Sequence, residues 1–132
     1  MNNKWLFKID LNDITVIDEY EKEYDVVFPT VLRSFIIDTN AASPMKNSVD
    51  INGVERVYVG TLSFNRYEED ASTFISAMKA IGDKGYLPFA KDPFGNYFCY
   101  RSENGTVSFY NHEEDSIDNS NIGFDEFVEA LS

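Results

Sequence analysis

Leu87-Pro88-Phe89-Ala90-Lys91-Asp92-Pro93-Phe94-Gly95-Asn96, followed by Tyr97-Phe98-Cys99-Tyr100, is the stretch whose reading decides the fold. An apolar entry carrying a proline runs into an aspartate-centred turn, and the turn runs into an aromatic strand. Pro88 removes a backbone donor and Pro93 fixes φ. Asp92-Pro93-Phe94-Gly95 reads as a tight turn, with Gly95 free to take a positive φ and Asp92 able to accept from nearby amides. Apart from one carboxylate the stretch holds no catalytic group. It is architecture rather than chemistry.

Working outward, Leu87-Phe89-Ala90 is a short strand and Tyr97 to Arg101 the next. Thr106 to Tyr110 is its neighbour, and Asn104-Gly105 between them is a hairpin signal. Asn111 to Asn121 reads as an acidic, polar connection. Ile122, Phe124, Phe127, Val128 and Leu131 have the spacing of a closing amphipathic helix. Upstream, Asp13 to Tyr24 reads as a helix with Ile14, Ile17, Tyr20 and Tyr24 on one face, capped by Asn12 or Asp13. Pro29 suits the first position of a second helix. Leu32, Phe35, Ile36 and Thr39 form its buried face, and Asn40 is its expected left-handed terminator. Val49-Asp50-Ile51 and Val54 to Val59 flank Asn52-Gly53, another hairpin. Glu68-Glu69-Asp70 leads a third helix, with Ala71, Phe74, Ile75, Met78 and Ile81 on one side and Gly82 and Gly85 at its close. The predicted fold class is α+β in one domain, residues 1–132. Its mainly antiparallel twisted sheet has about five to six strands, with an N-terminal helix pair, a middle helix and a C-terminal helix, the helices covering one face.

The composition agrees. Of 132 residues, 43% are hydrophobic and 15% aromatic, with eleven Phe and eight Tyr, so a sheet-rich core forms without disulfides. Cys99 is the single cysteine, so no internal disulfide exists. In a run of aromatics it reads as a small buried hydrophobe. The first eight residues contain no signal-like apolar run, and no segment approaches the roughly 20 apolar residues that span a bilayer. A cytoplasmic protein is therefore expected.

Charge is the other strong signal. There are 23 acidic residues against 11 basic, a net charge of −12. Such a chain repels phosphate backbones and anionic membranes, so neither nucleic acid nor a membrane is an expected partner, whereas a basic protein is. From Ser102 to Ser132 there are eight acids and no Lys or Arg. Asp18 to Asp25 is a second dense cluster. Brought together, the two would make one negative face able to occupy the basic substrate groove of a nuclease.

Enzyme chemistry has little to stand on. His112 and Cys99 are the only residues of their kinds, and no third group is placed to orient them. His112, Glu113, Glu114, Asp115 and Asp118 lack the spacing and glycine of a calcium loop and the second His or Cys of a zinc site. No phosphate-binding glycine motif occurs. No metal, cofactor or catalytic residue is predicted.

The ordered set of landmarks resembles the SUKH superfamily, which includes fungal cell-wall glucan-synthesis regulators and many bacterial immunity proteins. Ile17 and Glu21 fit the family's first-helix Ile-x-x-x-Glu position. Phe28-Pro29 with Leu32, Phe35 and Asn40 fits its second helix. Leu87 to Ala90 with Asp92, Gly95 and Asn96 fits its signature turn and strand. Val107 to Asn111 then His112-Glu113, and finally Phe124 and Phe127, complete a match over about residues 13–131. The chain departs at Ala41-Ala42, where many members carry glycines. The resemblance implies a non-enzymatic binding protein. Bacterial members typically neutralise a cognate toxin, often a nuclease, encoded beside them.

The reading that combines these lines is a cytoplasmic immunity protein that binds a basic toxin domain, with no cofactor. Its expected partner-binding residues are Glu19, Glu21, Glu23, Asp92, Asn96, Glu113, Glu114 and Asp115, joined by exposed aromatics. Glu21 and Asp92 have a rival role in satisfying local backbone donors. The alternative is a non-catalytic regulatory scaffold like the fungal relatives.

Overall fold

The computed structural model describes residues 3–132. In chain order its elements are β1 (Trp5–Leu6), α1 (Val16–Tyr24), α2 (Thr30–Thr39), β2 (Ser43–Pro44), β3 (Ser48–Ile51), β4 (Val54–Val57) and β5 (Gly60–Thr61). Then follow α3 (Phe74–Ile81), β6 (Tyr86–Lys91), β7 (Tyr97–Arg101), β8 (Thr106–Asn111), β9 (Ser116–Gly123) and α4 (Phe124–Ala130). The five strands β5 to β9 form one sheet in sequence order, every pair antiparallel. Two short antiparallel ribbons, β1–β2 and β3–β4, complete an α+β fold of the predicted class.

The aromatic strands explain where the core sits. Phe98 pairs with Phe109 and Tyr100 with Val107 across β7 and β8, which puts all four on one face. On that face Phe98 meets Phe109 and Phe127 at 5.4 Å and stacks on Tyr58 at 5.6 Å. Phe89 meets Phe124 at 5.2 Å. Helix α4 and Tyr58 therefore cover this side. Tyr110, the next residue after Phe109, points to the opposite face. Its hydroxyl lies 3.2 Å from the Ala80 carbonyl in α3. Behind α3 a second aromatic cluster forms, in which Phe74 stacks on Phe64 at 4.7 Å and meets Tyr20 of α1 at 5.0 Å. Helices thus lie on both faces of the sheet, not on one as the strand pattern implied. This is why β6, β7 and β8 are buried in unbroken runs rather than alternately.

Several local expectations are corrected. Helix α1 begins at Val16, because Asp13 Oδ1 accepts from the backbone N–H and hydroxyl of Thr15 in a turn before the helix. Pro29 is the N-cap of α2 rather than its first residue. Asn40 has φ −49°, and the left-handed residue is Ala41 at φ 59°. Asn40 is instead fully buried, accepting from Phe64 N at 2.7 Å and donating to the Ile9 carbonyl at 3.0 Å. Helix α3 starts only at Phe74, where the Thr73 hydroxyl accepts from Ser76 N, so Glu68 to Asp70 precede it. Asn111 to Asn121, read as connection, holds most of the eight-residue edge strand β9 (Ser116–Gly123), which also takes Ile122 from the expected closing helix. The Asn52-Gly53 loop takes positive φ at both residues, as its hairpin demands.

Candidate protein-binding surface

The turn between β6 and β7 is built around one carboxylate. Asp92, 5% exposed, accepts at Oδ1 from Phe94 N at 2.8 Å and Asn96 N at 2.9 Å. Its Oδ2 accepts from Asn96 Nδ2 at 2.9 Å. Gly95 sits at φ 85°, and a Cβ there would stand 3.3 Å from His112 Nε2. The next turn, between β8 and β9, is tied to this one twice. Asn96 Oδ1 accepts from His112 N at 3.0 Å, and His112 Nε2 lies 2.8 Å from the Phe94 carbonyl. A carbonyl only accepts, so the ring donates from Nε2. Asn111 Oδ1 accepts from Glu113 N and Glu114 N, and Asp115, at φ 49°, accepts the Tyr110 hydroxyl at 2.8 Å. Burial, then that bond to Asp115, raises the Tyr110 pKa. The two turns are one cross-braced platform. It presents Phe94, Glu113, Glu114 and Asp115 to solvent.

The acids of α1 are placed differently. Arg33 Nη2 lies 3.0 Å from both Asp18 and Glu21, and Glu21 Oε2 accepts from Phe28 N at 2.7 Å. Arg66 reaches Glu19 at 3.0 Å and Glu23 at 3.2 Å and lies over the Tyr20 ring. Lys84 reaches Asp25 at 2.7 Å. Each acid of this helix therefore has a cation from elsewhere in the chain. By contrast, no Lys or Arg among the described residues lies within 4.0 Å of Glu113, Glu114, Asp115, Asp118, Asp125, Glu126 or Glu129. No hydrogen bond or ion pair among the described residues joins the two acidic regions, so the sequence's two clusters are not fused by direct contact into one site.

The site is rich in acceptors and poor in reactive groups. Cys99 is fully buried, and burial alone pushes its thiol pKa up, which disfavours a thiolate. Its would-be partner His112 is engaged with the Phe94 carbonyl. Among the described residues no three His, Cys, Asp or Glu side chains converge to hold a metal ion, and no helix is long and apolar enough to cross a membrane. What the platform offers is negative charge, hydrogen-bond acceptors and one exposed aromatic ring.

The sequence that builds this platform matches the SMI1 / KNR4 family (SUKH-1) over residues 12–130, nearly the whole chain. The chain belongs to the SUKH-1 family. No curated protein matches it. SUKH-1 membership supports a toxin-immunity or SMI1/KNR4-like role with a protein partner, in a family known for non-catalytic immunity and regulation. Within the SUKH-1 frame, the predicted site residues Glu21, Asp92 and Asn96 spend their side chains on backbone groups. Glu113, Glu114 and Asp115 project from the platform, while Glu19 and Glu23 share Arg66. Sequence reasoning missed two things. One is the neutralisation of α1 by Arg33 and Arg66, for which no local signal exists. The other is Phe94, whose place between Pro93 and Gly95 at a turn tip was the available clue.

Proposed function

We propose that this protein is a cytoplasmic immunity protein that binds and neutralises a cognate toxin carrying a basic nuclease domain. It has no catalysis of its own. The observation that carries this reading is the asymmetry of charge pairing. The α1 acids are met by internal cations, whereas the acids of the β8–β9 turn, β9 and α4 meet none among the described residues and are left for an external one. Unpaired carboxylates on a rigid support favour a basic partner by speeding encounter and fixing orientation. In this reading Glu113, Glu114 and Asp115 make the contact. Asp92 and Asn96 keep their platform in shape, and Glu19, Glu21 and Glu23 act mainly within the fold.

The test is co-expression with the toxin-like domain encoded beside the gene. Restored growth, with a stoichiometric complex on co-purification, is the expected result. Loss of growth despite full expression of this protein would defeat the reading.

A further inference from the structure

We infer that Phe94 is the apolar anchor of this contact, and that the partner's matching surface is an apolar hollow rimmed by Lys or Arg. The inference rests on the immunity reading above and goes beyond it by naming the residue that sets affinity and the shape it requires.

Phe94 is 77% exposed at the tip of the β6–β7 turn. Its ring pairs with no other aromatic among the described residues and lies outside the buried core. It is not a loose side chain on a loose loop. Its N–H donates to Asp92 Oδ1 and its carbonyl accepts from the His112 ring, so both backbone groups point into the platform and the ring is left outward. Folding has already met the cost of ordering this backbone, which raises the affinity such a ring can add. Phe7 and Tyr67 are also exposed, at 81% and 89%, but among the described residues no turn or loop hydrogen bond fixes their backbone. Rigid aromatics inserted in desolvated pockets dominate binding energy at interfaces, and near-neutral contacts around them exclude water.

The surroundings specify the occupant. Glu113 and Glu114 follow directly on His112, which touches the Phe94 carbonyl, and neither has a cation among the described residues. A flat basic surface would meet these carboxylates but leave the ring in water. A hollow without basic residues would take the ring but strand the carboxylates. A nuclease's substrate cleft, apolar where bases stack and cationic where phosphates run, meets both demands.

The experiment uses this protein and a catalytically inactive form of the toxin domain encoded beside its gene, with association and dissociation rates measured separately. Phe94→Ala is expected to weaken binding by about 30-fold or more, almost wholly through faster dissociation, and to leave the association rate within about twofold. Phe94→Leu should recover part of the loss. Neither variant should change the thermal unfolding midpoint by more than a degree or two, because the ring is outside the core. Wild-type binding with Phe94→Ala within about threefold of it would overturn the anchor and leave the immunity reading standing. Failure of the wild type to bind or protect overturns that reading, and the anchor with it.

Discussion

Truncating Asp92 to alanine is the sharpest test of the platform. The carboxylate accepts from Phe94 N, Asn96 N and Asn96 Nδ2 at 2.8 to 2.9 Å, and both Asp92 and Asn96 are nearly inaccessible to solvent. A hydrogen bond to a charged acceptor contributes about 1.5–3 kcal/mol net, and leaving its partner buried and unpaired adds a desolvation cost. Three bonds that share one carboxylate do not add fully, so the expected loss is about 3–4 kcal/mol. For a domain of this size that lowers the unfolding midpoint by about 12–16 °C. Asp92→Asn keeps Oδ1 for the two backbone amides but turns an amino group toward Asn96 Nδ2. Its expected cost is about half as large. Urea unfolding followed by circular dichroism and tyrosine fluorescence measures both. A loss below 1 kcal/mol for the alanine variant, or the asparagine variant proving the worse of the two, would refute the reasoning.

Three further outcomes are expected. Ala41→Gly should stabilise the protein by about 0.5–1 kcal/mol, since Ala41 sits at φ 59° and glycine removes the left-handed strain against a smaller unfolded-state entropy cost; a melt of the variant shows it. Cys99 should react with a thiol reagent only at the rate of unfolding, because it is fully buried and its pKa is pushed up; rapid labelling under native conditions would contradict this. Burial chiefly raises Tyr20 from 10.0 to about 12, and Tyr58 is pushed up further. The folded state thus holds these protons more tightly than the unfolded one. Their stability contribution is complete below pH 10; Tyr20's is lost as pH rises through about 12 and that of Tyr58 at higher pH still, which alkaline unfolding monitored by tyrosinate absorbance should record.

Where the sequence carried local chemistry, the fold was legible. Asn52-Gly53 demanded a two-residue hairpin and forms one. Tyr97 to Arg101 is a strand over the predicted residues. Where the deciding partner lay far along the chain, it was not. The β9 strand is polar because an edge strand in which only Ser120 is buried has little to bury, and only pairing with β8 makes it a strand. Asn40 looked like a helix terminator, yet its amide is spent on Ile9 and Phe64, 31 and 24 residues away. The same holds for the surface. The acids were countable in sequence, but which of them are neutralised depends on Arg33 and Arg66, the latter 47 residues from Glu19 and 43 from Glu23. Phe94 was visible as a residue but not as an exposed one. Its exposure comes from Asp92 and His112 holding the turn away from the core.

The measurement that tests the central claim most directly compares the two acidic regions as encounter surfaces. Association with the inactive toxin domain is followed between about 0.01 and 0.15 M salt, the range over which screening sets in. It is followed for the wild type, for Glu113→Gln/Glu114→Gln/Asp115→Asn, and for Glu19→Gln/Glu23→Gln. The account predicts that neutralising the β8–β9 turn slows association several-fold at low salt and flattens its salt dependence. Neutralising the α1 pair should leave both within about twofold of the wild type. The opposite pattern, with the α1 variant slowed and the turn variant unchanged, would contradict the claim that the unpaired acids face the partner.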